Sequence, residues 1–340
     1  MKPLSVLTST AALTVVLGGS ADSMAASDAH DAAEVQPIYA VEVESPYTYI
    51  GAGNRLLIVD TGDPLSPAVV GSLSLPDAAN DIEILGGNAY IAAGASGLLI
   101  VDVYDVHAPR VADVVDTPGE AHAVRISGTL AYVADGWGGL HVIDVSEPAD
   151  AFIAASVTGV PAQDIALSGV YAYVAAGEEG LSILDISDPA GAREVGTLAT
   201  PNDATGIDLA GDYVLLACAG AGLRVVDVSN PSSPLEVGVL DRHYAREVTV
   251  EGDYAFVAGE RAGVWVVDIS VPSNPVITAR IPPRLAANGI SVVGEHAYVA
   301  DGGGGLLVLT LDGGTGAVAR SSGGGARGTF LPLQLDRLAR

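Results

Sequence analysis

A five-residue pattern returns seven times along the chain at a nearly constant interval. The segments are LLIVD ending at Asp60, LLIVD at Asp102, LHVID at Asp144, LSILD at Asp185, LRVVD at Asp227, VWVVD at Asp268 and LLVLT at Thr310. Successive ends lie 42, 42, 41, 42, 41 and 42 residues apart. A repeat of this length is one supersecondary unit that buries its apolar face only by stacking on its neighbours. That restricts the chain to arrays, solenoids and closed rings. It also makes 340 residues one architecture rather than two ordinary domains.

Each unit carries four strand signals. In the sixth, AREVTV (245–250) leads through a GD turn to YAFVAG (254–259), then to VWVVDI (264–269) and VITARI (276–281). These runs are short, alternating or β-branched, and bounded by Gly, Asp or Pro. Residues 38–311 show no convincing 3.6-residue period, which excludes helical solenoids. Tyr (12) outnumbers Phe (3) and Gly reaches 42, which suits strands joined by many turns.

The corners have a mechanism. The Asp that closes the third strand is followed at +4 by Pro64, Pro148, Pro189, Pro231 and Pro272, and at +2 by Ser146, Ser187, Ser229 and Ser270. Asp and Ser bond nearby backbone N–H groups, and Pro cannot continue a ladder. These regular Asp residues are therefore read as turn caps, not as a ring of metal ligands. Seven four-stranded units that close on themselves leave only short, protected edges. The expected fold class is all-β, a seven-bladed β-propeller of four-stranded antiparallel blades. An open β-solenoid would have shorter coils and no hairpin turns such as GDY at 252–254.

The segments LLIVD, YVADGWGGLHVIDVSEP (132–148) and YVAAGEEGLSILDISDP (173–189) resemble LVIVD repeats of bacterial and archaeal secreted or surface proteins. The resemblance covers residues 40 to about 311. It implies a β-propeller, and it carries no catalytic residue, because its motif is the strand and corner itself.

Residues 1–26 read as a signal peptide, with Lys2 as the positive end, an apolar stretch from Leu4 to Leu17 and a cleavage site after Ala25 or Ala26. The competing reading is an N-terminal anchor helix. Residues 27–320 are assigned to the propeller, and 321–340 to a Gly-rich linker and short C-terminal tail, which either docks on a partner or frays. The first unit begins with its inner strand, AVEVE (40–44), and the seventh lacks the usual Pro corner. Its outer strand is expected from 33–38 or, through a shorter hairpin, from GAVARS at 316–321. The mature chain carries no transmembrane segment. The expected location is outside the cytoplasm: extracellular, cell-surface or periplasmic.

Formal net charge is −26, which repels nucleic acid and anionic membranes. The single cysteine, Cys218, forms no disulfide within one chain and reads as a buried hydrophobe. Six histidines show neither H-x-H nor H-x-x-x-H spacing, and no G-x-S-x-G occurs. No catalytic or metal-ligating residue is assigned, and no cofactor is expected. Calcium is the one metal left open for so acidic a chain.

Function should therefore sit on loops, at positions that the repeat does not dictate. Two loop sets should meet on one face: those leading into the inner strands and those joining strands two and three. Aligned across the units, they supply Asn80, Asp81, His122, Trp137, Gln163, Asp164, Arg246, Glu247, Arg261 and Asn288 as an axial ligand-binding set. Trp137, flanked by glycines, is the candidate anchor. The leading expectation is a monomeric, non-enzymatic binding protein or interaction scaffold for a protein or extracellular polymer. The alternatives are a hydrolase using His122 with Asp81 or Asp164 on the axial face, and a structural envelope spacer.

Overall fold

The computed structural model describes residues 37–63, 67–241, 243–282, 286–294, 296–311 and 329–331. Among them, 28 strands form seven four-stranded antiparallel sheets, each built from four consecutive strands. The fold is a seven-bladed β-propeller. One 3₁₀ turn, Pro189–Gly191, is the sole helical element among the described residues.

The inner strands, Ile38–Glu44, Asp81–Leu85, Ala123–Ser127, Asp164–Ser168, Gly206–Ala210, Glu247–Glu251 and Gly289–Val293, pack each against the next. The last packs against the first, so the ring is closed. Second and third strands are buried on both faces, and for that reason LLIVD and AYVA read as continuous apolar runs. Their side chains form seven apolar clusters, each shared by two neighbouring blades. A Leu or Ile removed fully from water in this way contributes about 1.5–3 kcal/mol. Cys218 lies in one of these clusters, 0% exposed, and burial pushes its thiol up to about 12.

All seven anchor residues end a third strand. The Asp carboxylates of the first six blades accept the N–H two residues on: Gly62, Tyr104, Ser146, Ser187, Ser229 and Ser270, at 2.9–3.0 Å. This is the expected corner.

Closure differs from expectation in one respect. The fourth strand of blade 7 is Thr329–Leu331, paired antiparallel with Leu306–Thr310. It comes from the stretch read as linker and tail; the favoured segment 316–321 lies outside the described residues. Ile38, from the other candidate segment, does join blade 7, but at the inner end. Its N–H donates to Gly302 O (3.1 Å) and its carbonyl accepts from Asn288 Nδ2 (3.1 Å). A short inner-edge contact closes the ring without a strand exchanged between blades.

Candidate functional site

The two loop sets meet on one face, and backbone bridges show how. The residue two positions after strand two of one blade pairs with the residue two positions before the next inner strand: Gly94 with Ala121, Gly136 with Ala162, Gly177 with Ala204, Ala219 with Ala245 and Glu260 with Ala287. The position needs a left-handed backbone, hence glycine in most blades. Ala219 (φ 41°) and Glu260 (φ 48°) adopt it without that freedom. Glu260 also pairs with Arg246 (3.5 Å), which ties a rim cation to a strained loop.

Inside this rim is a cavity of about 310 Å³. Of the ten expected site residues it gathers seven: Asn80, Asp81, His122, Gln163, Asp164, Arg246 and Glu247. Tyr39, Ala123, Arg125 and Thr205 complete the lining. Arg125 was not foreseen. It lies two residues beyond Ala123 on the same strand face and bridges two flanking blades, Nη1 to Asp81 Oδ2 at 2.5 Å and Nη2 to Asp164 Oδ1 at 3.3 Å.

The axial carboxylates have a structural duty. Each accepts a backbone N–H from the next inner strand: Asp81 from Val124 (3.0 Å), Glu83 from Ile126 (2.9 Å), Asp164 from Ile207 (2.9 Å), Asp208 from Val250 (2.7 Å) and Glu247 from Ile290 (3.3 Å). They stitch the inner strands of blades 2 and 3, 4 and 5, 5 and 6, and 6 and 7 to one another.

Crowding them together disfavours their charge. Burial raises Glu247 to about 8, with Asp164 and Asp81 adding to the effect. Burial raises Glu42 and Glu83 to about 7 and Asp164 to about 6, all three against the pull of Arg125. Arg125 is opposed by burial too, but Asp81, Asp164 and Glu83 outweigh it and hold the guanidinium protonated. Burial lowers His122, which favours the neutral ring. The lumen thus combines two arginines, Arg125 between its carboxylates and Arg246 at the rim, with partly protonated carboxyls and neutral imidazole, amide and hydroxyl groups.

Trp137 is 82% exposed and lies outside this cavity. It lines a second one of about 220 Å³ with Pro161, Gln163, Gly177, Glu178, Asp203 and Thr205. Gln163 and Thr205 line both, so the two cavities adjoin. The loop carrying Trp137 is locked from beneath. Asp135, 0% exposed, accepts from Thr117 Oγ1 (2.5 Å) and Gly119 N (2.6 Å) and pairs with His141 Nε2 (3.0 Å). His141 Nδ1 in turn meets Ser156 Oγ at 2.7 Å. Burial works against the charge of Asp135, but the bonds from His141, Thr117 and Gly119 prevail and hold its carboxyl below the usual range.

Two expected residues stand apart. Asn288 is buried, 9% exposed, and is engaged in ring closure. Arg261 is exposed on its loop and lines neither cavity. Among the described residues no three His, Cys, Asp or Glu side chains group closely enough to hold a metal ion. No helix among them is long and apolar enough to cross a membrane.

No curated protein of known function matches the chain. Among solved structures, the computationally designed Ika8 protein is similar in fold, with a TM-score of 0.64 over 84% of this chain and 86% of that one, at 11% identity. The family model described as the LVIVD repeat matches residues 39–74, 77–117, 118–158, 161–200, 201–241, 243–281 and 286–309. Those segments correspond to the seven blades, and the chain therefore belongs to the LVIVD-repeat family.

Proposed function

We propose that this chain is an exported, non-enzymatic binding module that engages a protein or extracellular polymer through its axial face. One observation carries the reading. The positions that vary from repeat to repeat, within a frame that does not, line one polar cavity on the face where the loops converge. Strand pairing does not require those residue types, and concave sites with a few convergent polar groups are where ligands bind. Export rests on residues 1–26, which read as a signal peptide and lie outside the described residues.

The test compares the wild-type protein with a His122→Ala/Gln163→Ala variant against fractionated envelope proteins and envelope polysaccharides in an interferometry assay. Binding of one fraction, weakened at least about tenfold in the variant, supports the reading. Binding that the variant leaves unchanged contradicts it. So does turnover of esters, lactones or glycosides that is lost in His122→Ala. Export is tested by cell fractionation and N-terminal sequencing, with the mature chain expected to begin after Ala25 or Ala26.

A further inference from the structure

The geometry points to a neutral polysaccharide, or an oligosaccharide cut from one, as the ligand of the Trp137 cavity and the axial cavity that adjoins it. This inference rests on the axial-face reading above and adds the chemical class of the ligand.

Trp137 carries the first part of the argument. A large aromatic left 82% in water forgoes the stabilisation that burial would give it. Its neighbours Gly136 and Gly138 have no side chains to cover the ring. The loop is nonetheless rigid, because buried Asp135 ties it to Thr117, Gly119 and His141. A flat apolar ring presented on a fixed support binds without first being ordered. The axial C–H face of a pyranose ring is a flat apolar partner of matching size.

The walls carry the second part. Beside the indole stand an amide (Gln163), a hydroxyl (Thr205) and two exposed carboxylates (Glu178 and Asp203). Beyond them lie Asn80 and His122. A sugar ring offers hydroxyls that donate and accept at once, and this mixed set answers both.

Charge selects the kind of sugar. A net charge of −26 opposes uronate- or sulfate-bearing chains. In the axial cavity a cationic peptide would find Asp81 and Asp164 already holding Arg125 and the amides of Val124 and Ile207, which leaves Glu178 and Asp203 beside Trp137 as the carboxylates open to it. Glu247 is bonded to Ile290 N, and burial keeps it largely protonated near neutrality. With carboxylates at one end and Arg246 at the other, an uncharged polyol can hydrogen-bond to both without opposing either charge.

The experiment uses the full chain and its two tryptophans. Trp265 is 0% exposed and Trp137 82%, so an environment-sensitive change in emission reports Trp137. The protein is titrated with soluble neutral glucan, mannan, xylan and galactan, and in parallel with alginate and oligolysine. At least one neutral glycan is expected to shift the emission to the blue and slow acrylamide quenching. By calorimetry, Trp137→Ala should weaken that binding about tenfold or more, while Trp137→Phe, which keeps a ring, stays within about threefold. If no neutral glycan binds, or if Trp137→Ala binds it as tightly as the wild type, the inference is overturned. Oligolysine or alginate captured through His122 and Gln163 in place of neutral glycan overturns it too, but leaves the axial-face reading standing. That reading falls separately, if every captured partner ignores the His122→Ala/Gln163→Ala variant.

Discussion

Arg125 shows how one side chain can organise a channel. It supplies the positive charge between Asp81 of blade 2 and Asp164 of blade 4, and its side chain, 33% accessible, lines the axial cavity. Arg125→Met would leave both carboxylates without it. The loss should be about 1–3 kcal/mol, between the values for exposed and buried pairs, read as a lower urea midpoint at unchanged slope. The surrounding carboxyls set the pH response. Glu42, Glu83, Asp164 and Glu247 all have folded pKa values raised above their unfolded ones. Through these carboxyls the folded state binds more protons between about pH 4 and pH 8, so their contribution to stability falls as pH rises through that window; His122 and His243, whose folded values are lowered, oppose this only below about pH 6.5. Melting temperature should be higher at about pH 5.5 than at about pH 8, by some 3–6 °C or roughly 1–2 kcal/mol, and Glu247→Gln should flatten the slope. An unchanged or opposite trend in differential scanning fluorimetry would count against this account. Arg125 itself was not evident from sequence, because its partners lie 44 and 39 residues away. The period-two alternation from Ala123 was the available signal, since it places Arg125 on the channel face.

At the scale of the element, legibility follows local chemistry. The Asp caps of the first six corners act within two residues, so they were readable and the structure bears them out. So was the doubly buried third strand, whose apolar run needs no knowledge of its neighbours. The fourth strand of blade 7 was not, because Thr329–Leu331 is three residues long and carries no corner. Contacts between elements also escape periodicity. A Cβ on Gly238, in the outer strand Leu235–Leu240 of blade 5, would run into the carbonyl of Pro272 in the next blade's corner. The same outer-strand position in blade 2 is Asp113, whose carboxylate accepts Ala151 N of the next corner at 2.8 Å. Gly238→Val should destabilise by about 1–3 kcal/mol through overpacking. Thermal melts would register that as a drop of several degrees, and a silent substitution would show that the corner seats loosely.

The whole molecule is a ring closed by contacts that no covalent link enforces. Blades 1 and 7 meet through an apolar cluster that includes Ile38, Ile50, Tyr298 and Leu306 and through Asn288 on the carbonyl of Ile38. Asn80 makes the equivalent bond within the ring, to Ala121 O at 2.9 Å. Asn288→Ala should cost about 1–2 kcal/mol and speed amide exchange in blades 1 and 7 selectively, whereas Asn80→Ala should speed it in blades 2 and 3. The blade count was legible from the anchors alone. The cavity was legible in part: seven of its lining residues follow from aligning the repeats, while Arg125 and the lock under Trp137 depend on how blades sit side by side. The central claim is that the fixed frame serves to present variable residues on one face. Hydrogen exchange of the full chain, with and without its bound polymer or protein, tests it most directly. Protection is expected in residues 80–83, 121–125, 135–139, 163–166 and 203–207, on the inner strands and axial loops. Protection confined to the corners after the third strands, with the axial loops unchanged, would contradict it.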